Sequence, residues 1–275
     1  MIIACLQMTS CPDVTQNMDE LKQQCLNLPK ERPLLLCLPE GFACFAGAAD
    51  ANLQLANNGQ ADEVIKQLAA LCQEHNIWLS AGTIPLPASQ TQHWAASLLF
   101  NAQGEVVGCY HKMHLFDVEV ADGTGQYQES RYTAAGNEVV VVDSPFGPIG
   151  LSVCYDVRFP ALYNKMRLEG AEILLVPSAF TCPTGEAHWH ALLRARAIEN
   201  QCYVVAAAQV GDHGHGRHTY GHSVIISPWG EIMAENKKQR GLIYHTLDRS
   251  TLEQIRAKMP IISHTKFTCE LKNEF

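Results

Sequence analysis

Charge is scarce in this chain: only 17% of its 275 residues are Asp, Glu, Lys or Arg, and no cluster of five or more basic residues occurs. With a formal net charge of −8, that argues against nucleic acid or an anionic membrane surface as a partner. No apolar stretch approaches the ~18 residues of a membrane helix. The start, Met1-Ile2-Ile3-Ala4-Cys5-Leu6-Gln7-Met8, lacks the positive region and long apolar core of a signal peptide, so a cytoplasmic protein is expected. No Gly/Ser tract or low-complexity run interrupts the chain, and one domain spanning residues 1–275 is expected. The eleven cysteines are odd in number and scattered, with no Cys-x-x-Cys, which points to neither a disulfide frame nor a zinc knuckle. Most are expected to be buried small hydrophobes. Also missing are a Gly-x-Ser-x-Gly elbow, a Walker lysine motif, a His-Glu-x-x-His pair and a Gly-x-Gly-x-x-Gly turn. Serine hydrolase, nucleotidase, zincin and dehydrogenase readings weaken accordingly, and neither cofactor nor metal is expected.

What the chain does contain is apolar material, 47% of its residues, in runs that alternate between strand and helix periodicity. Residues 2–8, 34–38, 77–84, 138–142, 147–154, 173–180, 202–209 and 241–247 read as strands. Residues 15–28, 61–75, 161–170 and 188–200 carry helical spacing. Residues 95–100 with 105–110, and 223–227 with 231–235, read as hairpins around turn-rich links. The polar residues 122–136 read as a long loop. The apolar run, proline and phenylalanine of residues 34–42 return in residues 173–180, a faint internal echo of two related halves. An α/β fold with mixed sheets follows.

Three strand ends bear reactive groups. Cys154 closes the apolar run of residues 147–154, Glu40 follows residues 34–39, and Lys112 follows residues 105–110. A thiol attacks a carbonyl only as thiolate or with a base to take its proton, and positive groups must meet the oxyanion that forms. On spacing alone a glutamate after a strand is ordinarily a solvated loop residue.

Leu38-Pro39-Glu40, Tyr110-His111-Lys112-Met113-His114-Leu115-Phe116 and Val153-Cys154-Tyr155-Asp156-Val157-Arg158-Phe159-Pro160 together resemble the three signature blocks of the nitrilase superfamily of carbon-nitrogen hydrolases. The likeness continues through Pro177-Ser178-Ala179-Phe180, Arg194-Ala195-Arg196-Ala197-Ile198-Glu199-Asn200-Gln201 and Tyr220-Gly221-His222-Ser223. The resemblance implies a four-layer αββα sandwich with two mixed sheets, and a homodimer or higher homo-oligomer. It also implies Cys154 as nucleophile, Glu40 as general base, Lys112 as the cation facing the tetrahedral intermediate and the Tyr155 N–H as second oxyanion donor. Glu129, in Gln128-Glu129-Ser130, corresponds to a further family glutamate that positions substrate or Lys112; Glu119 competes for that role.

The Cys154-Tyr155-Asp156 block resembles amidase-type members, where true nitrilases have Cys-Trp-Glu, so a small-molecule amide is the expected substrate. Residues 114–119, 192–199 and 201–209 are similar to the deaminated glutathione amidase branch, which implies release of 2-oxoglutarate and cysteinylglycine. The ω-amidase branch, acting on 2-oxoglutaramate, is resembled less. A catalytically idle scaffold on the same fold is the alternative of another class. A substrate with carboxylates at both ends requires positive or donor groups. Arg158, Arg194, Arg196, Arg217 and His218 are available, with Arg194, Arg196 and His218 the candidates for substrate binding. Arg194 and Arg196, two apart on a helix, cannot share one face. Arg158 is expected to pair internally with an acid such as Asp156. Residues 211–218, rich in Gly and His, read as a solvated loop or one over the pocket mouth, and His188 and His190 as packing or capping groups.

Overall fold

The computed structural model describes residues 1–122, 124–214, 216–267 and 270–271. Every side chain of the strands Ile2–Gln7 and Leu34–Cys37 is buried. Successive side chains of a strand point to opposite faces, so both faces of this sheet have to be covered. Ile3, Cys5, Leu35 and Cys37 pack with Ile149, Leu151, Leu175 and Val205 of a second sheet. Ile2, Ala4, Leu34 and Leu36 face the other way, onto Met18, Leu21, Leu68 and Leu71 of helices Val14–Cys25 and Gln60–His75. The far side of the second sheet is covered by Pro160–Leu168 and Cys182–Asn200, through Tyr163, Met166, Trp189 and Leu193. The layers run α, β, β, α.

The first sheet runs Gly241–Thr246, Ile2–Gln7, Leu34–Cys37, Trp78–Ser80, His93–Phe100, Ile84–Pro87, with Val106–His111 and Thr133–Ala134 also paired to His93–Phe100. The second runs Val141–Val142, Ile149–Leu151, Ile173–Leu175, Tyr203–Ala206, Ser223–Ile226, Ile232–Asn236. Each has three parallel strands at its centre flanked by antiparallel neighbours. The two echoing runs of sequence are the middle strands of these trios. The echo is therefore a repeat of sheet position. Past the strand ends the halves are tied by a bridge from Met8 to Gln209, and the Gln209 Nε2 donates to the Glu40 carbonyl at 3.1 Å.

Several expected elements change at their edges. The run 77–84 divides into Trp78–Ser80 and Ile84–Pro87. The chain turns between them at Gly82, with φ 55°, where a Cβ would stand 1.9 Å from the Pro39 carbonyl oxygen. Only glycine lets this turn press against the Glu40 loop. The loop 122–136 holds a short strand, Gln126–Gln128, and a 3₁₀ turn, Glu129–Arg131. The helix expected at 188–200 begins at Cys182, with a proline in its first turn. Helices Ala51–Asn57 and Arg249–Lys258 stand where no element was expected. Among the described residues no helix is long and apolar enough to cross a membrane.

Candidate active site

The strand Ile149–Leu151 ends three residues before Cys154, which opens a 3₁₀ turn, Cys154–Arg158. Cys154 has φ 47°. A non-glycine residue in the left-handed region costs about 1–3 kcal/mol and needs support from its surroundings. Asp156, fully buried, supplies that support: its Oδ2 accepts from the Val153 N–H at 2.8 Å and from the Tyr110 hydroxyl at 2.8 Å. Its Oδ1 accepts from the His114 N–H at 3.1 Å and lies 2.7 Å from the His114 Nδ1. Tyr110 and His114 flank Lys112 in sequence, so one buried carboxylate fixes the thiol turn and the lysine segment to each other. The Cys154 N–H donates to the Pro177 carbonyl at 2.9 Å.

Lys112 is 1% exposed. Its Nζ donates to the Glu40 Oε1 at 2.8 Å and to both Glu129 oxygens, at 2.9 and 2.8 Å. Glu129 Oε2 also accepts from the Phe116 N–H at 2.7 Å, which orients the carboxylate from behind. Burial by itself would depress the lysine, but Glu129 and Glu40 outweigh it and hold the ammonium well above its ordinary range. Burial raises Glu129 even though Lys112 opposes the shift. Burial, then the Glu40 charge, push the Cys154 thiol well above 9.0, with Lys112 only partly countering them. The resting nucleophile is a neutral thiol beside a carboxylate. It needs a base to react, and Glu40 is the group in place.

These side chains open on one cavity of about 420 Å³, whose wall includes Glu40, Lys112, Glu129, Cys154 and Tyr155. It lies outside the carboxyl ends of the central strands of both sheets, where ligands of open α/β sheets are commonly found. Glu119 is exposed in its short strand and does not line this cavity, so of the two competing glutamates Glu129 reaches Lys112.

A family model for carbon-nitrogen hydrolases matches residues 2–257. The chain belongs to the carbon-nitrogen hydrolase family. It is 38% identical over 273 residues to a deaminated glutathione amidase of Yersinia enterocolitica, covering 98% of this chain and 94% of that one. Among solved structures it is similar to the Caenorhabditis elegans NitFhit protein, with a TM-score of 0.89 and 39% identity over 96% of this chain and 65% of that longer one. Saccharomyces cerevisiae Nit3, a nitrilase superfamily member, superposes with a TM-score of 0.82 at 27% identity, covering 97% of both chains. The αββα sandwich is thus the family fold, and the chain is an enzyme of the carbon-nitrogen hydrolase type.

In this carbon-nitrogen hydrolase three candidate substrate-binding residues lie away from the cavity. Arg196 points into the protein, 5% exposed, donating to the Val157 carbonyl at 2.9 Å and to Glu199 at 2.6 Å. Arg194 leaves the other side of the helix and donates to the Gly230 carbonyl at 2.9 Å. His218 is exposed, 3.8 Å from Asp212. The helix period and the edge position of a short hairpin explain these departures. Arg158 does not pair with Asp156, whose oxygens are taken. It rides over the Tyr155 and Phe180 rings, at 5.8 and 5.3 Å, with Nη1 3.3 Å from the His188 Nδ1.

Within residues 211–218, His215 lies outside the described residues. His213 is buried, its two ring nitrogens 2.8 Å from the Ser10 carbonyl and 2.7 Å from the Thr219 hydroxyl. Arg217 reaches the cavity wall. Sequence reasoning passed over Asp156, Tyr110 and His114 as supports of the site. The signal was available: an acid two residues after the nucleophile, at the end of an apolar run, has to be paired if it is buried.

Proposed function

We propose that this enzyme hydrolyses the amide of deaminated glutathione to 2-oxoglutarate and cysteinylglycine through a thioester on Cys154. The observation that carries the reading is the convergence of the strained thiol, the Glu40 carboxylate and the Lys112 ammonium on one cavity. The substrate comes from the likeness to the Yersinia enterocolitica relative. Glu40 takes the thiol proton as the sulfur attacks the amide carbonyl. The developing oxyanion meets the Lys112 Nζ and, because the Cys154 N–H is committed to Pro177, the next N–H along, that of Tyr155. Glu40 then gives its proton to the departing amine. Water enters, Glu40 takes its proton, and the thioester opens to acid and thiol. Glu129, anchored by the Phe116 N–H, keeps the lysine pointed at the carbonyl.

A reducing cytoplasm suits the ten described cysteines, all of which carry free thiols. A homodimer is proposed over the exposed Ile198, Trp229, Ile232 and Met233, with Ile198 set against Gly230. The reaction returns two usable metabolites from a side product, a repair role.

The test is kcat/KM for deaminated glutathione, 2-oxoglutaramate and butyramide side by side. Deaminated glutathione is expected to rank first. A higher value for 2-oxoglutaramate would transfer the assignment to ω-amidase, and no turnover of any amide would favour an idle scaffold.

A further inference from the structure

His190, His222 and Glu235 meet at a place apart from the Cys154 cavity, which none of them lines. Three elements bring them together. Helix Cys182–Asn200 carries His190, the turn between strands His218–Tyr220 and Ser223–Ile226 carries His222, and strand Ile232–Asn236 carries Glu235. The His190 Nε2 stands 2.8 Å and the His222 Nδ1 2.7 Å from the same oxygen, Glu235 Oε1. Burial raises the Glu235 carboxyl, but hydrogen bonds from His222 and His190 outweigh it and keep the group ionised near pH 7. An ionised carboxylate only accepts, so both ring nitrogens carry protons toward it.

The surroundings hold both imidazoles in place. His222 has φ 59°, a left-handed backbone that a non-glycine residue keeps only when its neighbours enforce it. Its N–H donates to the Lys237 carbonyl at 2.9 Å, and its carbonyl accepts from the Trp189 Nε1 at 2.8 Å. Trp189 is the buried neighbour of His190, so the two histidines are pinned to each other through this bond. The His222 ring stacks on Tyr220, with centroids 4.3 Å apart and planes 16° apart. Tyr220 in turn lies over Gly185 of the helix, where a Cβ would stand 2.3 Å from its ring. The His190 ring stands edge-on to that of His222, at 85°. With 31% of its side chain exposed, against 11% for His222 and 16% for Glu235, His190 forms the solvent side of the group.

We infer that His190, His222 and Glu235 form a binding site for a divalent transition-metal ion, zinc, which clamps helix Cys182–Asn200 to the strand pair Ser223–Ile226 and Ile232–Asn236. Two imidazole nitrogens and one carboxylate oxygen are a donor set that zinc takes with water in the fourth position, and the solvent side at His190 is where that water enters. The ligand atoms lie within 4.8 Å of one another. Around a tetrahedral zinc they stand ~3.3 Å apart, so the two contacts to Oε1 open by about half an ångström. Coordination uses the imidazole lone pairs, which face the ion once each proton has moved to the other ring nitrogen. Hydrogen bonding satisfies the trio in the metal-free protein, and the same orientation leaves the ligands gathered for the ion. Charge agrees. Glu186, one helical turn before His190, is a second acid in the neighbourhood: burial, then Glu186 and Glu235, raise the Tyr220 hydroxyl.

The test reads metal binding directly. Full-length protein in a Cys154→Ala background, which removes the cavity thiol as a competing ligand, is stripped with a chelator. It is then titrated with zinc against a chromophoric chelator, and with cobalt(II) for its visible spectrum. His190→Ala and His222→Asn are each expected to weaken zinc by about 100-fold or more, and Glu235→Gln by about tenfold or more. Cobalt should give the bands of a tetrahedral ion without a thiolate charge-transfer band. Zinc should raise the melting temperature of the parent protein and leave that of His190→Ala unchanged. Asparagine tolerates the left-handed backbone of position 222, circular dichroism checks the fold, and His190→Ala carries the comparison if another variant is unfolded. Zinc held equally by parent and variants, a thiolate band that the variants leave unchanged, or no zinc bound at all overturns the site.

Discussion

Around Lys112 two carboxylates converge on one buried ammonium beside a strained thiol, whereas around Glu235 two imidazoles converge on one partly buried carboxylate. The His190 Nε2 and the His222 Nδ1 both meet the Glu235 Oε1, at 2.8 and 2.7 Å. The ligand-type atoms of this second trio lie within 4.8 Å of one another, close enough for a metal ion, yet they already satisfy each other by hydrogen bonding. None of them lines the Cys154 cavity. In the first group the cavity gives a substrate access and the thiol is left with chemistry to do. Clustering of titratable residues is common to both; access and an unspent nucleophile separate them.

The comparison can be broken from the strong side first. Cys154→Ala is expected to lower amide turnover by roughly 10⁴-fold or more, with little loss of stability, measured by steady-state kinetics and thermal melting. Lys112→Met should cost about 10³-fold in kcat. It should also destabilise the protein by about 3–5 kcal/mol in denaturant titration, because Glu40 and Glu129 are left facing each other without their cation. Lys112 variants that keep full stability would show that the buried ion pairs are not what orders the site. Alkylation of Cys154 by iodoacetamide should keep rising past pH 9, since burial and Glu40 hold the thiol up. A plateau near pH 6 would indicate a thiolate formed at rest.

The smallest effects are expected at the second trio. Glu235→Gln should leave kcat within about twofold and cost ~0.5–1 kcal/mol, as for other partly exposed pairs. Burial raises the Glu235 carboxyl, but hydrogen bonds from His222 and His190 outweigh it and hold the group below its ordinary 4.5. Its contribution is therefore complete above about pH 4.5 and fades as pH falls through the lowered value. Melting curves of wild type and variant should draw together in acid. A loss of turnover as large as that of Lys112→Met would erase the distinction between the two groups.

Much of the fold was readable because the central strands are apolar on both faces, as residues 34–38 and 173–176 show, and such runs have few alternatives. Cys154, Glu40 and Lys112 could be picked out by their places after apolar runs, and the family blocks around them raised that reading above chance. Substrate contacts were not readable. Arg194, Arg196 and His218 have the right charge, but which way a helix or hairpin residue points depends on tertiary packing: Arg196 turns inward to Val157, while Arg217, one position from His218, reaches the cavity. Helix Ala51–Asn57 carries no cap hydrogen bond from a side chain, and so little local signal. The split at Gly82 depends on the approach of Pro39, 43 residues earlier in the chain.

The central claim is that the Cys154 sulfur carries the acyl group. Wild-type protein mixed with excess deaminated glutathione, quenched in acid within the first turnovers and digested, is expected to show a 2-oxoglutaryl adduct on the Cys154 peptide that disappears as substrate is exhausted. Cysteinylglycine should be released before 2-oxoglutarate. Simultaneous release of both products with no adduct on that peptide, or turnover that survives in Cys154→Ala, would contradict the account.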